Sequence, residues 1–93
     1  RWGLIPWFHK GTVKEWKPLT TNARCETLAT TGTYKRAFQQ HRCLVPFSHF
    51  FEWSGEKGHK TQWQFTPKAH DWLCFAGIWD HAQTTDGMIE SFS

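Results

Sequence analysis

Seven tryptophans stand where a chain of 93 residues ordinarily places leucine, isoleucine and valine. Leu, Ile, Val and Phe together account for only 18 residues, a share that by itself points towards disorder. Each indole, however, can bury a large apolar area. The formal net charge of +3 is also too small to hold a chain open by self-repulsion. The chain is therefore expected to fold around aromatic rather than aliphatic packing, as one small domain at most. It begins at Arg1 without an initiator Met and ends at Ser93 inside an expected strand, so residues 1–93 read as the central portion of a single larger domain.

The periodicity changes along the chain. Trp2-Gly3-Leu4-Ile5-Pro6 reads as a short strand stopped by proline. Residues 7–24 read as irregular, and Glu26 to Thr30 as one helical turn. Gly32-Thr33 offers a helix start with Thr33 as N-cap. Tyr34, Ala37 and Phe38 then share one face of a helix running to Gln40. After that the pattern is that of strands: a compact buried one over Arg42–Pro46, one over His49–Trp53, and one over Thr61–Thr66 with a wet and a buried face. A run over Trp72–Trp79, with Gly77 marking a bulge or a close backbone approach, and a last strand from Met88 complete the set. Turns are expected at Ser54–Gly58 and at Thr84–Gly87. The class is α+β, mainly antiparallel strands curling into a barrel, with short helices.

Two runs carry the chemistry. Asn22-Ala23-Arg24-Cys25-Glu26 packs an amide, a guanidinium and a carboxylate into five residues. Phe50-Phe51-Glu52-Trp53 sets one acid among three rings. On a strand, Phe50, Glu52 and Ser54 share one face, and Phe51 and Trp53 the other. If that face is partly desolvated, Glu52 gains a raised pKa and can move protons near neutrality. The alternative is a solvent-facing Glu whose aromatic neighbours point elsewhere. Asn22 supplies a donor and an acceptor, and Arg24 a planar fork that matches phosphate oxygens. Arg24 can equally be held by Glu26 in an internal salt bridge. Trp2, Trp7, Trp16 and Trp53, interleaved with Lys10, Lys14, Lys17 and Arg42, have the make-up of a single-strand binder that stacks bases and tracks phosphates. A Trp-rich core with solvated lysines has the same composition.

Other classes are disfavoured. Three widely spaced Cys, without a C-x-x-C pair, support neither a disulfide framework nor a zinc ribbon and fit a reducing compartment. Cys25, beside Arg24, is either a reactive thiol or a small buried hydrophobe. The six His show no H-x-x-x-H or H-E-x-x-H spacing, so no metal site is expected. No cofactor is implied, no apolar run suggests a membrane span, and no Ser/His/Asp arrangement suggests a protease.

Trp2-Gly3-Leu4-Ile5-Pro6, Asn22-Ala23-Arg24-Cys25-Glu26-Thr27, Arg42-Cys43-Leu44-Val45-Pro46, Phe51-Glu52-Trp53 and Ala76-Gly77-Ile78-Trp79 form an ordered set over nearly the whole chain. In this the sequence resembles the SOS-response-associated peptidase (SRAP) domain, a family that crosslinks to abasic sites in single-stranded DNA. The resemblance implies covalent capping of such sites by an N-terminal Cys, whose amine and thiol close a thiazolidine ring. It implies Asn22 and Glu52 as the catalytic residues present here, the latter assisting proton transfer. It implies DNA contacts by Arg24, Trp2, Trp7 and Trp53. The partner would be single-stranded DNA met by a monomer, in the bacterial cytoplasm or nucleoid or in a eukaryotic nucleus. The N-terminal Met-Cys-Gly-Arg segment and the downstream His of the family do not occur within these residues. Cys25, Cys43 and Cys74 lack the free α-amine the chemistry needs. A segment of this kind supplies binding and proton-transfer residues but not the nucleophile. The competing reading is a non-catalytic module that binds single-stranded nucleic acid.

Overall fold

A computed structural model describes all residues 1–93. The chain carries 3-10 turns at Val13–Glu15 and Cys25–Thr27, one α-helix, α1 (Gly32–Gln40), and five strands. These are β1 (Arg42–Phe47), β2 (Phe50–Ser54), β3 (Thr61–Phe65), β4 (Leu73–Thr84) and β5 (Gly87–Phe92). The class is the expected mixture of short helices and antiparallel strands, but the strands form two sheets, ordered β1-β4-β5 and β2-β3, and do not close into a barrel. The residues divide into two compact units, Arg1–Cys43 with Ala76–Ser93, and Leu44–Phe75.

The first unit owns the core. Leu4, Tyr34, Ala37 and Ile78 are buried together, with Ala23, Leu28 and Phe38 packed against them. The helix face expected from spacing is the face that is buried. Burial of Tyr34 also pushes its phenol pKa up, because the phenolate would lose hydration. The helix starts at Gly32 with Thr31, not Thr33, at its N-cap, and Thr31 makes no side-chain capping bond. Thr33 lies within the first turn, where its backbone is already helical. The segment expected as a first strand makes only an isolated parallel bridge, Trp2 to Phe92. Leu4 donates its N–H to Thr20 O (3.2 Å), and Ile5 donates to the Ser91 hydroxyl (2.7 Å), so side-chain and loop bonds replace a ladder. Gly3 takes φ +96° here, a left-handed conformation that a side chain would strain.

Antiparallel pairing of β4 with β5 runs from Trp79↔Phe92 to Thr84↔Gly87. Ile78, Asp80, Ala82 and Thr84 form the buried row of β4, at the two-residue period of a half-buried strand. The hairpin tip is pinned on the preceding chain: the Asp86 carboxylate accepts the Val13 N–H (2.8 Å) and Thr85 N–H donates to Gly11 O (3.2 Å). The Glu15 carboxylate accepts both the N–H and the hydroxyl of Thr12 (2.6 and 3.0 Å), which closes the first 3-10 turn and lowers the Glu15 pKa.

Leu44–Phe75 is built differently. β2 and β3 pair antiparallel from Phe50↔Phe65 to Ser54↔Thr61. Phe50 stacks on Phe65 (centroids 5.0 Å apart), and Phe75 stacks on Phe47 (4.0 Å) and meets Phe50 edge-on. Yet no residue of this unit is fully buried, and every residue of β3 is exposed, so neither the expected buried face of β3 nor a compact buried β1 is realised. Leu44 on β1 is exposed as well, on the outward side of a strand whose alternate residues are only half-buried. Ser54–Gly58 is the expected turn. Gly55 (φ +102°) is obligatory there, since a Cβ would lie 2.5 Å from His59 O.

Candidate nucleic-acid interface

Asn22 and Arg24 sit in the first unit, on the stretch leading into the second 3-10 turn. Arg24 has extended backbone (φ −81°, ψ 126°), so neighbouring side chains alternate. Ala23 turns inward onto the core, while Asn22 and Arg24 are exposed on either side of it. The core thus sets the direction of both polar groups through one small apolar residue. The Trp2 indole N–H donates to Thr21 O (2.7 Å), which fixes the ring beside this loop although 60% of the residue stays exposed. The internal salt bridge to Glu26 does not form: both ion pairs of the chain involve Asp80. The Glu26 carboxyl is instead held below its ordinary pKa first by its own backbone N–H and then by the Cys25 side chain. Arg24 therefore keeps its donors outward. Cys25 is exposed, not a buried hydrophobe.

Trp7 lies on the following turn, where its N–H donates to Asp80 Oδ2 (3.1 Å). Its ring meets Phe8 edge-on (6.0 Å) and carries the Arg36 guanidinium (5.2 Å from the centroid). Trp16 is less available. It is half-buried against Phe8 and His9, and its indole N–H is enclosed without an acceptor.

Glu52 and Trp53 belong to the second unit. Glu52 faces Trp63 across the hairpin, on the side that carries Phe50 and Phe65. Trp63 is itself tethered, its indole N–H donating to Ser54 Oγ (2.7 Å). Trp53 points to the other face with Phe51, as the strand period required, and both rings are exposed. Glu52 is exposed as well, so within this hairpin its aromatic flanks do not supply the desolvation expected of them.

One cluster escapes sequence spacing altogether. His41, Asp80 and His81 each bring one potential ligand atom within 4.8 Å of the others. His41 Nδ1 lies 3.6 Å from Asp80 Oδ1, with no hydrogen-bond partner. His41 also stacks on Trp79 at 4.5 Å. These residues could hold a divalent metal. However, Asp80 Oδ1 already accepts the His81 N–H (2.9 Å) and faces Arg36 at 3.5 Å, so its charge is matched without one. Forty residues separate the two histidines, and only the pairing of strands brings them together.

The SOS response associated peptidase (SRAP) family model matches residues 1–93. The chain belongs to the SRAP family. It is 32% identical over 90 residues to the abasic site processing protein YobE of Bacillus subtilis, covering 96% of this chain and 40% of that protein. It is likewise 32% identical over 87 residues to a yeast (Saccharomyces cerevisiae) abasic site processing protein, covering 92% of this chain and 23% of that one. A crystal structure of a Bacteroides thetaiotaomicron protein superposes with a TM-score of 0.85 at 28% identity, covering 99% of this chain and 41% of the other. This SRAP segment thus spans less than half the length of these relatives. None of its helices is long and apolar enough to cross a membrane.

Proposed function

We propose that the protein carrying this SRAP segment acts on DNA containing abasic sites, binding it as a single strand and capping the lesion covalently. The observation that carries the reading is the Trp2-Asn22-Arg24 surface. An indole locked by its own N–H stands beside an outward amide and an unpaired guanidinium. Stacking ring, sugar-reading amide and phosphate fork are the three parts a single-strand site needs. The family membership and the names of the relatives point the same way.

The chemistry proposed for the complete protein starts at an N-terminal Cys. Its amine adds to the aldehyde of the ring-opened abasic sugar, and water leaves to give a Schiff base. The thiol sulfur then adds to the imine carbon while the nitrogen takes up a proton, closing a thiazolidine. Asn22 positions the sugar, and Glu52 carries protons during water loss and reversal. Arg24 holds phosphate, and Trp2, Trp7 and Trp53 offer stacking faces. Release of the initiator Met, which frees the Cys amine, accounts for the peptidase in the family's name. Closure of the strands into a barrel-like domain and action as a monomer belong to the same proposal.

The test mixes the natural full-length protein, its N-terminal Cys processed, with single-stranded DNA holding one abasic site. A denaturation-resistant adduct is expected, and its absence would overturn the proposal. Glu52→Gln should slow adduct formation or reversal at least tenfold, on the scale of a lost general acid–base group. Arg24→Ala should weaken binding and lower the slope of log K against log[salt] by about 0.7, one phosphate contact to a single strand. Unaltered adduct kinetics in Glu52→Gln would favour a non-catalytic binding module.

A further inference from the structure

Asp80 sits in the buried row of β4, with its side chain 1% exposed. A carboxylate there must be matched by donors or it destabilises the fold. Its partners are unusually directed. Oδ2 accepts the Trp7 N–H (3.1 Å), and Oδ1 faces the Arg36 guanidinium (3.5 Å). That guanidinium lies over the Trp7 ring at 5.2 Å. One buried acid therefore fixes both the backbone under the indole and the cation above it. The remaining N–H groups of Arg36 meet no protein acceptor, and a third of its side chain (32%) is exposed. Trp7 and Phe8 are also exposed, and the Lys10 ammonium reaches back to Trp7 O (3.4 Å).

We infer that Arg36 and Trp7, aligned by Asp80, form a second nucleotide subsite in which the guanidinium donates to a DNA phosphate while an adjoining base packs on the exposed Trp7–Phe8 rings. A guanidinium stacked on an aromatic ring keeps its in-plane donors free, which suits a phosphate better than a mobile ammonium does. Asp80 is a positioning residue: it touches no nucleotide and acts through the two groups it orients. A purely structural ion pair would need neither the stacking geometry nor the outward donors. The inference rests on the DNA-binding reading of this chain.

The test measures binding of a fluorescently labelled, undamaged single strand by the full-length protein across a range of salt concentrations. Arg36→Gln should reduce the slope of log K against log[salt] by about 0.7, equal to the loss at Arg24 and additive with it. Arg36→Gln alone leaves Asp80 short of a partner, so the Arg36→Gln/Asp80→Asn double variant, which removes both charges, is measured beside it. It should show the same reduced slope. Arg36→Lys should keep the slope and lose several-fold in affinity. A wild-type slope in the double variant overturns the subsite while leaving the Arg24 surface intact. Failure of the unsubstituted protein to bind the strand overturns the DNA-binding reading and the subsite with it.

Discussion

The two units solve the same compositional problem in opposite ways. Arg1–Cys43 with Ala76–Ser93 buries the aliphatic side chains of Leu4, Ile5 and Ile78, leaves Trp2 and Trp7 exposed, and covers Trp16 and Trp79 only in part. Leu44–Phe75 has almost no aliphatic residues to bury, and is held by stacked phenyl rings and one hairpin ladder. Aromatic pairs contribute roughly 0.5–1.5 kcal/mol beyond their area burial, enough to order a hairpin but not to make a dry interior. The first unit is therefore expected to set global stability, and the second to open locally at lower cost.

The largest effect should come from the core. Leu4→Ala is expected to cost about 3 kcal/mol, the scale of a Leu truncation in a packed interior. Denaturant unfolding monitored by hydrogen exchange should show the loss in the first unit, with β2 and β3 amides little changed. Equal acceleration of exchange in both units would break the contrast. A second probe is thiol chemistry. Burial raises the Cys43 pKa, which depletes its thiolate at neutral pH, whereas Cys25 and Cys74 are exposed. Iodoacetamide should label Cys43 more slowly than the other two at neutral pH. Mass spectrometry of timed digests reads this directly.

Gly55→Ala should have a smaller, local effect of about 1 kcal/mol or more, because it combines a positive φ with a backbone clash at His59. Exchange in β2 and β3 should quicken while the thermal midpoint of the core stays in place. The smallest effect concerns acid. The Glu15 pKa is lowered chiefly by the Thr12 N–H, so its contribution is present above the carboxyl's unfolded pKa and fades as pH falls through the folded one. Glu15→Gln should flatten the stability profile below about pH 4.5, the ordinary carboxyl value, by slightly lowering stability at neutral pH while converging with the parent protein in acid.

Local features were legible in the chain itself. The 3.6-residue period picked out Tyr34, Ala37 and Phe38, and turn chemistry located Ser54–Gly58 and the tip before Gly87. The two-residue period placed Glu52 and Trp53 on opposite faces of one strand. The five-residue run around Arg24 marked a polar loop whose inward alanine now explains its outward amide and guanidinium. Apart from the Trp2–Pro6 strand, which is only an isolated bridge, and the helix N-cap, which is Thr31 and not Thr33, what failed were statements about burial. Period shows which side chains share a face; it does not show what covers that face. The Arg42–Pro46 strand therefore came out no more than half-buried, and the apolar side of Thr61–Thr66 exposed.

The sequence by itself determined the elements and the chemistry of the Asn22–Arg24 loop, because both depend on neighbours a few residues apart. Tertiary structure alone decided that Asp80 would meet Trp7 and Arg36, 73 and 44 residues away, and that His41 would lie against His81. A buried carboxylate gathers whichever donors the fold brings within about 3 Å. That selection is made in space, where no spacing along the chain can record it.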